Sequence, residues 1–428
     1  MKKFLIVFLF FFNSVKAENH LQFFIDSALK NNLKLNAERK NKKSIKQNIN
    51  ISRSEFLPSI SLSGDQSSAQ SKNKTNHSGS SLSDSNLDKE TKTISVDQKI
   101  FQGFKGYNSL RKSELEAKQA DFKLKQVEQQ TVLDSVSVYF DLIFKTKNEE
   151  FNLSNVNLFE RQVESDSARL QKGEITLTDL AQSESSLAGA NANLIKAKTE
   201  LLASKTNFER ITREKAPSSI NPNEKVVVEL PNTLQEAINV AKLNNSDLLI
   251  AKLDYQIAEK DLNIEKAKLS PSASINYSKS SNKDYSSTID ELDEETVKAT
   301  INWPIIKGGE NIFSIKKSSL KKQRFLLLSE DAENRVVTET TNAWSKYQSS
   351  ESLLIATEAQ LKAAEIANEG ITLEYDSGNT RTTLELIQST SLLLDARISF
   401  AKAERDFIIS KFELAFQLGT LSLDSISS

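Results

Sequence analysis

Between Lys105 and Gln171 the apolar positions recur with helical spacing, and a stripe of Leu110, Ala117, Leu124, Thr131 and Val138 returns every seventh residue. No proline interrupts the run. At 1.5 Å per residue such a helix would extend on the order of 100 Å, two to three times a typical domain diameter. Elsewhere the period changes abruptly. "SEFLPSISLSG" (54 to 64) leaves a helical run at Pro58 and then alternates serine with Ile60 and Leu62, and "KAKLSPSASINYS" does the same at Pro271. Ile94, Val96 and Ile100 alternate with Thr93, Ser95, Asp97 and Lys99; downstream, Ala273, Ile275 and Tyr277 are answered by Val297, Ala299, Ile301 and Trp303. Period two gives each strand one apolar and one wet face. The pattern predicts strands at about 58–66, 91–101, 271–279 and 295–305, with polar loops at about 66–90 and 279–294.

The two changes of period belong to an internal repeat. "NNLKL" at 31 and "NNSDL" at 244 each begin 27 residues before their proline. Later pairs lie about 205 residues apart: Gly103 with Gly308, Tyr139 with Trp344, Gly173 with Gly378. Five heptad positions then match at a constant offset of 206, running from Leu180 to Phe208 in one half and from Leu386 to Leu414 in the other. The chain therefore reads as a tandem duplication, 18–215 and 232–420, joined by the Pro-rich link 216–231 and closed by a tail at 421–428. Each half reads as helix, strand, loop, strand, very long helix, glycine turn, long helix. All six prolines fall outside the long helical stretches.

The first segment reads as an address. "MKK" is a basic start, "FLIVFLFFF" an apolar core too short to cross a bilayer, and "VKA" a small-residue site for cleavage after Ala17, so residues 1–17 are expected to be a signal peptide. Nothing later supplies a hydrophobic transmembrane helix, so any contact with a membrane has to be made by strands.

Composition narrows the function. A formal charge of −1 over 428 residues gives no excess to attract nucleic acid. Cysteine is absent, which removes disulfides, thiolate metal sites, a Cys nucleophile and a lipoprotein anchor together. The two histidines, His20 and His77, read as solvated bystanders. With no Gly-rich phosphate loop and with carboxylates spread along helix surfaces, no enzyme, cofactor or metal site is expected.

The alternation fits a soluble antiparallel sheet as well as a transmembrane barrel, and taken alone it favours the former. Context reverses that preference. The chain is expected to be exported, no second apolar layer is available to cover the sheet, and Tyr277 and Trp303 sit where membrane-interface aromatics are needed. Four strands cannot close a barrel, because the smallest have about eight, so several copies must share one.

These landmarks resemble the TolC family of outer-membrane efflux and type I secretion channels: the "NN-x-x-L … LPS" opening, the "KIFQGF" and "PIIKGG" returns from strand to helix, the "G-x-x-x-x-TDL" turn and the closing "LAFQLGTL". The resemblance spans essentially the whole mature chain. It implies an α plus transmembrane β fold, in which a tandem-duplicated protomer contributes four strands to a trimeric twelve-stranded β-barrel standing on a long periplasmic α-helical barrel. It further implies an exit duct in the outer membrane of a Gram-negative-type cell, in contact with outer-membrane lipid. The implied partners are a homotrimer, a periplasmic adaptor (membrane fusion) protein and an inner-membrane pump of ABC, RND or MFS type, with no nucleic acid.

In that family, links from an Arg and a Tyr on one hairpin to an Asp on the other close the periplasmic entrance. The matching stretches are "KGEITLTDLAQ" (172 to 182) and "YDSGNTRTTLELIQ" (375 to 388), the second one residue longer after its glycine than the family pattern. The resemblance thus implies a gate of Asp179, Tyr375 and Arg381, with Thr178 as a further acceptor. It also implies that the turns at Gly173 and Gly378 are the tips for adaptor contact. Glu385 matches the first of two acidic lumen rings, and Gln388 replaces the acid of the second. The plainer alternative is that Asp179 and Arg381 are solvated charges at helix ends, and that Glu385 and Gln388 are a surface pair. An exported trimeric coiled-coil adhesin or scaffold without an open lumen is the competing function class.

Overall fold

The computed structural model describes residues 20–81, 83–217, 226–377, 381–423 and 426–427. The expected leader 1–17, the tip glycine Gly378 and residues 218–225 of the link lie outside them. The element order is α1 (His20–Asn31), α2 (Leu33–Ser54), β1 (Ser59–Ser71), β2 (Ser85–Gln102), α3 (Lys105–Gln171), α4 (Leu177–Thr212), β3 (Val227–Val228), α5 (Leu234–Asn244), α6 (Ser246–Ala267), β4 (Ser272–Ser286), β5 (Ile289–Asn302), α7 (Glu310–Asp376), α8 (Thr383–Leu418) and β6 (Ile426–Ser427). The duplication is visible at once: α3 and α7 have 67 residues each, and α4 and α8 have 36 each.

The paired asparagines that open each repeat split what the sequence reads as one helix into two. Asn32 Oδ1 accepts the amide of Leu35 at 3.1 Å, and Asn245 Oδ1 accepts that of Asp247 at 3.0 Å. A side-chain acceptor ahead of free amides starts a new helix at each place.

The chain forms two compact units. One comprises residues 39–123 and 248–332. Its four-stranded antiparallel sheet has the order β1-β2-β4-β5, so the β2 to β4 pairing joins the two repeats. The register sorts residues into rows. Ile60, Val96, Tyr277 and Val297 lie side by side, as do the hydroxyl residues Ser61, Ser95, Ser278 and Thr296. A bulge between Lys99 and Phe101 turns Phe101 into line with Ala273 and Ile301. The strands outrun the alternation that predicts them, and the loops shrink to 72–84 and 287–288. Ladder hydrogen bonds need only the backbone, so pairing continues past the last apolar row into residues polar on both faces.

Below the sheet, helical segments of the same unit follow the same order. Ser52 on α2 hydrogen-bonds Ser113 on α3 at 2.7 Å, Gln119 and Lys112 on α3 reach Asp254 and Asp261 on α6, and Lys322 on α7 reaches Glu259 on α6. The layer is α2, α3, α6, α7, one helix deep, with α2 and α7 at its edges. Gly103 fixes the β2 to α3 corner: its φ is +59°, and a Cβ there would stand 2.6 Å from the carbonyl oxygen of Ala267. Only glycine fits.

The other unit comprises the remaining described residues and holds the main core. Leu21, Phe24 and Ile25 of α1 pack on Val132, Val136, Tyr139 and Leu142 of α3, Phe208 and Ile211 of α4, and Phe412 and Ala415 of α8. Phe24 meets Phe208 edge to face at 4.9 Å. The tail is not idle, since Leu421 is buried in this core and Ile426–Ser427 pairs with Val227–Val228 of the link.

Candidate functional site

The site is built at the turns between α3 and α4 and between α7 and α8. At the first, α3 ends in a Schellman motif: Glu174 N–H reaches the carbonyl of Arg169 at 3.0 Å, Gly173 N–H reaches Leu170 at 2.9 Å, and Gly173 takes φ +76°. Then α4 opens with a capping box. Asp179 N–H donates to Thr176 Oγ1 at 3.3 Å, and the Asp179 carboxylate accepts the Thr176 amide at 2.9 Å and hydroxyl at 2.7 Å. At the second turn, Glu385 does the same for α8 with Thr382, accepting its amide at 2.8 Å. Thr176 and Asp179 stand 206 residues before Thr382 and Glu385, so the two acids occupy one repeat position and perform one local task. The hydrogen bonds from Thr176, first by its side chain, hold Asp179 below the usual carboxylate range. The Thr382 amide, followed by Arg381, does so for Glu385.

Within the chain, the gate residues read from the sequence do not meet one another. Arg381 lies between acids of its own hairpin, with Nε 2.6 Å from Glu374 Oε2 and Nη1 3.0 Å from Glu385 Oε1. Within the chain these two carboxylates are its ion-pair partners. Tyr375 also turns elsewhere. It is buried, and its hydroxyl donates to Asp166 Oδ1 on α3 at 2.8 Å. Asp166 is fully buried and also accepts Ser183 Oγ on α4 at 2.5 Å and Gln162 Nε2 at 2.9 Å. Gln162 Nε2 and Thr383 Oγ1 stand 3.1 and 3.2 Å from the tyrosine oxygen, and the Arg169 guanidinium covers the ring at 4.8 Å. Burial, with Asp166 adding to it, raises the Tyr375 phenol above its ordinary value, so it remains a neutral donor. Asp166, Ser183, Tyr375 and Thr383 thereby tie four helix ends from both repeats into one buried network. Thr178 is exposed on the first turn of α4, and Gln388 is exposed one turn beyond Glu385.

The model of the outer membrane efflux protein family matches residues 24–212 and 237–420. The chain belongs to that family. The two matched stretches coincide with the two repeats. BepC, an outer membrane efflux protein of Brucella suis, is 23% identical over 400 residues, covering 93% of this chain and 85% of its own length. Outer membrane protein TolC of Vibrio cholerae is 25% identical over 339 residues, 77% of this chain and 76% of the relative. Among solved structures, the Campylobacter jejuni CmeC outer membrane channel superposes with a TM-score of 0.82 at 16% identity, covering 94% of this chain and 86% of that one. Members of the outer membrane efflux family are channels rather than enzymes. Outer-membrane location and the duct function follow from membership. Among the described residues no helix is long and apolar enough to cross a membrane, and the β1-β2-β4-β5 sheet presents one apolar face.

Of the two aromatics singled out in the sequence, Tyr277 lies on that face and Trp303 just beyond the end of β5. On β4 and β5 its apolar rows run from Ala273 and Ile301, through Ile275 and Ala299, to Tyr277 and Val297. They stop at the Lys279 to Glu295 ion pair, 2.6 Å long. Tyr277 thus lies in the last apolar row at one end, and Trp303 just past the other.

Sequence reading missed Asp166, Gln162 and Glu374. Asp166 lies in "ESDSARLQ", where it looks like any solvated helix charge. The available signal was Ser183 and Thr383, small hydroxyl residues inside otherwise apolar helix faces, which mark something polar to be satisfied.

Proposed function

We propose that this chain is the outer-membrane exit duct of a tripartite efflux system, assembled as a trimer and opened at its helix-hairpin tips. The observation that carries the assembly is that sheet and helix layer are both unfinished at the same edges. β1 and β5 each have one unpaired side, and below them α2 and α7 are the edge helices. Leu320 and Leu327 on α7 are 57% and 65% exposed, one heptad apart. Pairing β5 of one copy with β1 of the next closes twelve strands from three chains and covers those leucines in the same step.

The gate is then a closed resting state with two kinds of fastening. The buried one is Tyr375 to Asp166, which holds the second hairpin on the first within each protomer. The exposed one comprises Arg381, Glu374 and Glu385 on one tip and Thr178 and Asp179 on the other, all available to a neighbouring copy around a threefold axis. Glu385 and Gln388 form the lumen ring, with the Glu385 charge already matched by Arg381. The turn at Gly173 is the surface offered to a periplasmic adaptor, with its repeat counterpart Gly378 outside the described residues, and the adaptor links the duct to an inner-membrane pump. Single-channel recording in planar bilayers tests the reading. Wild-type trimers should show low conductance, and a Tyr375→Phe, Arg381→Ala variant should conduct several-fold more. No conductance from either would overturn the duct, and equal conductance from both would overturn the gate.

A further inference from the structure

The level at which the bilayer ends can be read from the sheet. The apolar rows from Ile301 to the Lys279 to Glu295 pair occupy six residues of β5, about 20 Å of strand and less once tilted. A transmembrane barrel needs an apolar band of about 25 Å. The missing height is divided between the two ends: Leu62 and Ile94 keep the Lys279 to Glu295 row apolar on β1 and β2, and at the strand-to-helix junction Trp303, Ile305 and Ile306 are 62%, 78% and 89% exposed. The Trp303 indole N–H is anchored on the Leu269 carbonyl at 3.1 Å. Lipid that covers these side chains brings its phosphates to the first turns of α7.

At that level, α3, α6 and α7 line an open surface cavity of about 390 Å³. Four lysines line it, Lys112, Lys268, Lys317 and Lys321, beside Asp261 and Glu265. The two acids are already matched: Lys112 holds Asp261 at 2.8 Å, and Lys268 holds Glu265 at 2.8 Å. Lys317 and Lys321 share a helix face one turn apart, are exposed, and have no acidic partner among the described residues. Ser314 adds a hydroxyl on the same wall. The surroundings are basic as well, since residues 307 to 324 contain six lysines and arginines against Glu310 alone. Lysines just outside an apolar band with an aromatic anchor are the arrangement that attracts anionic headgroups.

We propose that this cavity binds the phosphate of an anionic phospholipid, with Lys317 and Lys321 as its charge partners and Ile305 and Ile306 against the acyl chains. The inference rests on the outer-membrane placement of the sheet, and its test leaves the duct reading separately measurable. Trimers in mild detergent are titrated with phosphatidylglycerol, phosphatidylcholine or inorganic phosphate, and bound mass is read by native mass spectrometry. Wild type should retain phosphatidylglycerol at several-fold lower concentration than phosphatidylcholine, and inorganic phosphate should not displace it. Lys317→Gln with Lys321→Gln should abolish the preference, Lys317→Arg with Lys321→Arg should keep it, and both variants should conduct like wild type. Unchanged retention in the glutamine variant would overturn the site. Displacement by inorganic phosphate would make it a free-anion site, and loss of trimer would place the lysines against a neighbouring copy; either result would overturn the lipid assignment.

Discussion

The hydroxyl of Tyr375 donates to Asp166 Oδ1 at 2.8 Å across 209 residues of sequence, and both side chains are buried. A buried acceptor that loses one of its donors costs about 1–3 kcal/mol. Tyr375→Phe should therefore loosen the second hairpin without unfolding the core around Phe208 and Phe412. Asp166→Ala should go further, because it strands Ser183, Gln162 and Tyr375 together. Single-channel conductance should rise in the order wild type, Tyr375→Phe, Asp166→Ala, with trimer yield constant. An Asp179→Ala variant that opens the channel more than Asp166→Ala would show that the acceptor is misassigned.

Arg381 is shared between Glu374 and Glu385 on an exposed surface. Its removal leaves two unmatched carboxylates per tip, six in a trimer. Arg381→Ala should raise the cation to anion permeability ratio several-fold, and Arg381→Lys should restore most of it. The check is the reversal potential in a salt gradient, and the difference should shrink at high salt as exposed charges are screened.

Both capping acids titrate below their ordinary range because the folded tip donates hydrogen bonds to them. A depressed carboxylate contributes stability that is present above its unfolded pKa and lost as the pH falls through the folded one. The first turns of α4 and α8 should therefore be protected near neutral pH and fray as acid protonates the two carboxylates, at a pH below the ordinary carboxylate range. Amide exchange at Asp179 and Glu385 measures this. Thr382→Ala should remove about 1 kcal/mol of end stability at neutral pH.

Rows of the sheet give a face-specific test. Val297 is 73% exposed and lies beside Ile60, Val96 and Tyr277, whereas the neighbouring Thr296 belongs to the row of Ser61, Ser95 and Ser278. Val297→Arg places a charge on the lipid face at a cost of about 2–4 kcal/mol and should remove the protein from the outer-membrane fraction. Thr296→Arg, one residue away on the lumen face, should be tolerated.

Two glycines separate conformational from steric demand. Gly419 has φ +71°, and a Cβ there would lie 2.2 Å from the Asn244 carbonyl oxygen; Gly173 has φ +76° with open space around it. Gly419→Ala should cost about 3 kcal/mol or more, against about 1 kcal/mol for Gly173→Ala. Thermal unfolding of the purified trimer ranks them.

By itself the sequence determined whatever depends on consecutive residues. The heptad stripe of α3 and the period-two runs around Ile60 and Ile275 are local periodicities, and the paired asparagines and the 206-residue offset are the same local patterns met twice, so helix, strand and duplication are legible without a partner. The extent of pairing was not, because backbone ladders continue through "DQSSAQS" after the apolar alternation has stopped. Nor was the choice of partner at the tips. Asp179 and Asp166 are both single acids on helix surfaces in the sequence, yet packing of α4, α7 and α8 buries Asp166 and leaves Asp179 in a capping box with Thr176. A buried carboxyl group must be satisfied by every donor within reach, whereas an exposed one is satisfied by water and its own backbone. The tertiary structure alone decides which of two similar acids Tyr375 meets, since burial is a property of the neighbours that four helices bring together.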